Sequence, residues 1–132
     1  MIGVTLDTNI YVSALEFGGA AARLLGMARR GDFRLDVSDA ILGELITVLR
    51  DDFHWEAYRL HFAREKITGV ANRVTPAQTL DVINEDPDDN RILECAVEAG
   101  SDYIVAGDKD LLRLGAFGDI KIVTAADFLK RE

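Results

Sequence analysis

The chain has 132 residues and a mass of 14.5 kDa, which suits one domain with a sizeable core and is too short for two. Hydrophobic residues make up 48% and charged residues 29%, and no apolar run nears the roughly 20 residues of a membrane span, so a soluble globular domain is expected. A lone cysteine, Cys95, excludes an internal disulfide framework and a multi-cysteine zinc site, and the net charge of −8 argues against nucleic-acid binding through a broad basic patch. The opening segment, Met1 to Asp7, lacks the basic region of a signal peptide. A reducing, cytoplasmic setting without membrane association is the expectation. The charge is uneven: residues 1–75 hold 10 acids and 9 bases, residues 76–132 hold 13 acids and 6 bases.

In chain order, Ile2–Leu6 is a short β-branched apolar run that reads as a buried strand ending at Asp7. Residues 8–15 read as a helix broken by Gly18-Gly19, and Ala20–Arg30 as a second helix. Phe33–Val37 alternates like a strand, after which Ser38 caps a helix to about Arg50. Residues 54–68 read as a helix carrying Trp55, Tyr58 and Phe62 at helical spacing, followed by a short strand near Arg73-Val74 and a loop through Pro87. A helix from about Asp88 to Ala99, a strand over Tyr103–Ala106, a short helix over Leu111–Leu114, a strand over Ile120–Val123 and a helix over Ala125–Lys130 complete the chain. Strands alternating with helices predict a single three-layer α/β/α domain over residues 1–132, with a central, mostly parallel sheet of about five strands. In such folds ligands bind beyond the carboxyl ends of the strands, where the strand order reverses.

Two predicted strands end in an aspartate, Asp7 and Asp108, and neighbouring strands would bring the pair together. Each also suits the cap of the helix that follows. Glu44 lies at the rim of the apolar arc formed by Ile41, Leu42, Leu45, Val48 and Leu49, not opposite it. In Asp86-Pro87-Asp88-Asp89, Asp86 reads as the N-cap and Pro87 as the first helical residue. Asp89 falls in register with Ile92, Leu93 and Ala96, on the stripe expected to be buried. A buried carboxylate needs a partner, and a cation would serve. Four acids, Asp7, Glu44, Asp89 and Asp108, therefore form a candidate oxygen-only site for a hard cation such as Mg²⁺ or Mn²⁺, suited to phosphodiester cleavage. His54 and His61 lie seven residues apart, too far for a helical zinc pair, and read as surface residues. Cys95 reads as a small buried hydrophobe.

On Leu6-Asp7-Thr8-Asn9, Glu44, the run Asp86 to Leu93 and Val105-Ala106-Gly107-Asp108-Lys109-Asp110-Leu111-Leu112, the chain resembles the PIN-domain family, and most of all the PIN toxins of prokaryotic toxin–antitoxin pairs. The resemblance implies a metal-dependent ribonuclease with Asp7, Glu44, Asp89 and Asp108 as metal-binding acids. It implies that Asn9 orients the first acid or contacts the phosphate, and it leaves room for Asp110 as a fifth acid, although a cap on the short helix is the better reading of Asp110. It also implies an RNA substrate, an antitoxin partner and a homodimer. Ala106 departs from the family's usual Ser or Thr and removes one supporting hydrogen bond.

Arg50, Arg59, Arg64, Lys66 and Arg73 lie among Trp55, Tyr58 and Phe62, as in an RNA groove, but an amphipathic helix with its aromatics in the core or a dimer interface explains them as well. Arg23, Arg29, Arg30 and Arg34 are a second candidate for such contacts, and a solvated face is the more ordinary reading of them. The rival functions are a catalytically inactive PIN-like module that binds RNA or protein, and an aspartyl-phosphate phosphatase or receiver domain. The second rival fits poorly, because a phosphatase wants a second acid where Asn9 stands.

Overall fold

The computed structural model of the protein describes residues 1–131; the expected domain runs to Glu132, which lies outside the described residues. Strand β1 (Gly3–Leu6) leads into α1 (Thr8–Glu16) and α2 (Gly19–Arg29), followed by β2 (Arg34–Ser38), α3 (Asp39–Asp51), α4 (Ala57–Thr68) and β3 (Asn72–Val74). After a long loop come α5 (Asp89–Ala99), β4 (Tyr103–Val105), α6 (Lys109–Leu114), β5 (Ala116–Phe117), β6 (Ile120–Val123) and α7 (Ala125–Lys130). The strands form one sheet in the order β3-β2-β1-β4-β6-β5, parallel except for the β5–β6 pair. The sheet thus has six strands, in keeping with the mostly parallel sheet of about five that the sequence predicts. The extra strand is two residues long and turns back at Gly118, whose φ of 58° is left-handed, and so short a strand carries no periodic signal.

All four residues of β1 are buried, the mark of a central parallel strand covered on both faces. Helix α5 packs across β1 to β4 on one face, where Thr5 Oγ1 lies 3.8 Å from Cys95 Sγ. On the other face, Leu35 lines one cavity with Ala14 of α1, Leu25 of α2 and Ile67 of α4, and Phe128 of α7 meets Phe33 and Tyr103 edge-on. Each large apolar side chain so buried contributes about 1.5–3 kcal/mol. The α5 face also holds a charged network. Asp36, fully buried, accepts hydrogen bonds from Arg34 Nε (2.7 Å), Asn72 Nδ2 (2.9 Å) and Ser101 Oγ (2.7 Å). A side chain at Gly3 would collide with Arg34 and Asp36, so this glycine leaves room for the pair.

The helix expected over 54–68 begins only at Ala57. His54 adopts a left-handed conformation (φ 59°), and the reversal lets Trp55 N–H donate to Leu49 O at 3.0 Å, closing α3. Trp55 is buried, donates from Nε1 to Glu16 Oε2 at 2.8 Å and lies under the Arg59 guanidinium. Tyr58 and Phe62, 59% and 68% exposed, are not in the core. No helix among the described residues is long and apolar enough to cross a membrane.

Candidate functional site

Strand order reverses between β1 and β4, which lie side by side and point the same way, so their carboxyl ends are adjacent, the position at which such folds place their ligand sites. Asp7 and Asp108 stand at those two ends. Asp7 is the N-cap of α1: Oδ1 accepts from Asn9 N–H at 3.4 Å, while Oδ2 accepts from Gly107 and Asp108 N–H at 3.4 and 3.3 Å. One carboxylate thereby ties both strand ends. Asp108 is the N-cap of α6, with Oδ1 accepting from Asp110 N–H at 2.7 Å and Leu111 N–H at 3.3 Å. Each aspartate is therefore a helix cap, and Asp108 is also one of three acids whose carboxylates meet, a group that does not include Asp7.

Asp89 opens α5 on the same stripe as Ile92, Leu93 and Ala96, all buried. It is 5% exposed, and its Oδ2 has no hydrogen-bond partner. Asp86, Asp89 and Asp108 each offer a carboxylate oxygen, and these lie within 4.8 Å of one another. Burial first, then the negative charges of Asp108, Asp86 and Asp7, push the Asp89 carboxyl up to about 8. Burial likewise raises Asp7, against the pull of its three backbone N–H donors, and the charge of Asp108 adds to the rise.

Glu44 lies beside this triad rather than within it. It is half-buried on α3 and lines a cleft of about 240 Å³ with Thr47, Asp88 and Arg91. Burial is the main cause of its raised pKa; the nearby Thr8 hydroxyl favours the charged form, and the charges of Asp88 and Asp7 oppose it. Thr8 Oγ1 is itself buried without a hydrogen bond of ordinary length. Asp7 thus acts electrostatically on both Glu44 and Asp89 and joins the two groups of acids.

Asp86 is not the N-cap that the Asp86-Pro87 pair predicts, nor is Pro87 the first residue of the helix. Instead, α5 starts at Asp89, and Pro87-Asp88 form a tight turn ahead of it. Asp86 Oδ1 accepts from Asp88 N–H at 3.2 Å and Asp86 O from Asp89 N–H at 3.0 Å, so the aspartate still begins the helical path, two residues early. Its place in the triad does not follow from the sequence pattern. The i, i+3 spacing of Asp86 and Asp89 around a proline-bearing turn is the one signal that points to it. Asn9 is exposed, and its backbone N–H, not its side chain, holds Asp7. Asp110 turns its carboxylate to Arg113 (3.4 Å) and contributes its N–H to Asp108.

Among the described residues no lysine or arginine pairs with Asp7, Glu44, Asp86, Asp89 or Asp108. An oxygen-only donor set with an unpartnered buried oxygen fits a hard divalent cation and does not fit zinc's preference for nitrogen and sulfur. A family model described as PIN domain matches residues 3–110, which includes every acid of the site. No curated protein matches the chain.

Proposed function

Since the chain belongs to the PIN-domain family, a family of nucleases, we propose that it is an endoribonuclease dependent on Mg²⁺ or Mn²⁺ that hydrolyses a phosphodiester bond at the acid cluster. The observation that carries this reading is the buried, unpartnered Asp89 oxygen beside the carboxylates of Asp86 and Asp108. Asp7, Asp89 and Asp108 would hold the ion, and Glu44 would be a further ligand or would orient the attacking water. A divalent cation bound there supplies Lewis acidity, which favours deprotonation of water and offsets charge on the phosphate.

The chain's own groups do the rest. Glu44, on the cleft wall with a pKa raised by burial, receives the proton of the water whose oxygen attacks phosphorus. That proton is returned to the leaving oxygen as its bond to phosphorus breaks. Asn9, exposed beside Asp7, offers its side-chain amide to a phosphate oxygen. Asp110 and Leu111 hold Asp108 through their N–H groups. On this reading the protein acts in the cytoplasm as one domain, as the homodimeric toxin of a toxin–antitoxin pair, with the antitoxin bound across the site.

Purified Asp7→Asn protein, with the circular dichroism and melting transition of a folded chain, is expected to leave structured RNA intact in Mn²⁺ where wild type cuts it. Undiminished cleavage by that variant would overturn the assignment. A second reading, an inactive module of the same fold, draws on Ala106, which is 1% exposed and brings no hydroxyl to the end of β4. Mn²⁺ titration separates the two, because the inactive module has no need of the ion.

A further inference from the structure

The loop between β3 and α5 has no regular structure, yet one face of α5 fastens it at several points. Glu98 Oε1 accepts from Ala77 N–H and Glu94 Oε2 from Leu80 N–H, both at 2.8 Å, while Arg91 Nη2 donates to Leu80 O at 3.3 Å. Asn90 closes the series nearest the site. Its side chain is 1% exposed. Oδ1 accepts from Val82 and Ile83 N–H, both at 2.9 Å, and Nδ2 donates to Ile83 O at 2.9 Å and Pro87 O at 3.1 Å. Two acceptor sites and two donors are the whole capacity of an amide, and all are spent on the segment that ends in Asp86 and Pro87.

Resting on the cation-dependent reading above, we propose that Asp86 is a cation ligand supplied by this loop, and that Asn90 is the positioning residue that holds it there. An acid cluster alone does not make a site. Here Asp89 Oδ2 is buried without a partner, and the Asp86 carboxylate lies within 4.8 Å of that residue's ligand atoms. Asp86 is half-buried and spends Oδ1 on Asp88 N–H alone, so its carboxylate keeps capacity for a cation. The strand ends and α5 hold the other acids through regular backbone. Asp86 depends on a loop, and the loop's register beside the site depends on one buried amide.

The test is calorimetric titration of Mn²⁺ into wild type, Asp86→Asn, Asn90→Ala, the double variant and Asp89→Asn, with amide hydrogen exchange at Val82 and Ile83. Asp86→Asn and Asn90→Ala should each weaken Mn²⁺ binding by about tenfold to a hundredfold, the range for removing a supporting partner of a metal site. The double variant should bind no more weakly than Asp86→Asn, because Asn90 acts through Asp86. Exchange at the two amides should quicken in Asn90→Ala and stay as in wild type in Asp86→Asn. Wild-type affinity in Asp86→Asn, or additive losses in the double variant, would overturn the inference while Asp89→Asn still abolishes binding. If Asp89→Asn binds Mn²⁺ like wild type, the cation-dependent reading falls and this inference falls with it. Should Asn90→Ala fail to fold, Asn90→Ser, which keeps a hydroxyl for part of the set, takes its place in the same cycle.

Discussion

Asp89 sits on the buried stripe of α5, no lysine or arginine among the described residues pairs with it, and its carboxyl is pushed up to about 8. Between the ordinary 3.8 and that value, the folded metal-free protein keeps a proton that the unfolded chain releases. Stability therefore falls as pH rises through this window, and the raised Asp7 and Glu44 act in the same direction. In chelator, wild type should lose melting temperature relative to Asp89→Asn between about pH 5 and pH 8, where the variant has no charge to bury. A constant gap between the two melting curves would contradict this. Added Mn²⁺ should reverse the loss in wild type, most of all at the upper end of the window, because binding requires the deprotonated ligands.

At the scale of elements, much of the site is legible in the amino-acid sequence. Asp7 and Asp108 follow apolar runs, so their place at strand ends is legible, and Asp89 falls in step with Ile92, Leu93 and Ala96, so its inward direction follows from periodicity. Asp86 does not yield to the same reasoning, because its role depends on a loop path set by Asn90 and not on any period. The start of α4 is hidden for a related reason. His54 is a non-glycine residue in the left-handed region, and no pattern in the sequence marks that turn. His54→Gly should relieve the strain and raise stability by about 1 kcal/mol, read from denaturant unfolding. A fall in stability would show that the His54 side chain contributes more than its backbone costs. Tyr58 and Phe62 mark the limit of spacing arguments: their step along α4 is helical, but it points them outward.

For the molecule as a whole, the two edges of the sheet divide the work. The carboxyl edge gathers the acids of the candidate site, and deeper in the sheet Asp36 gathers hydrogen bonds from β2, β3 and the end of α5. Arg34→Ala should cost about 3 kcal/mol by leaving a buried charge without its ion pair, somewhat less because Arg34 is itself about a third exposed. Cleavage per folded molecule should be unchanged, since Arg34 lies at the opposite end of the strands from Asp7 and Asp108; a lost activity at full folding would argue for coupling across the sheet. The net charge of −8 sets a further expectation. RNA affinity should depend more on the divalent cation than on monovalent salt, because few phosphates find a lysine or arginine. A steep salt dependence in chelator, measured by fluorescence anisotropy, would point instead to a basic groove elsewhere on the surface.

The most direct measurement is cleavage of a structured RNA by wild type and by Asp89→Asn, each in Mn²⁺ and in chelator, with both proteins shown to be folded. Cutting by wild type in Mn²⁺ alone, with the other three reactions silent, is the expected result. Equal cutting by Asp89→Asn, or by wild type in chelator, would contradict the claim that these carboxylates act by holding a divalent ion.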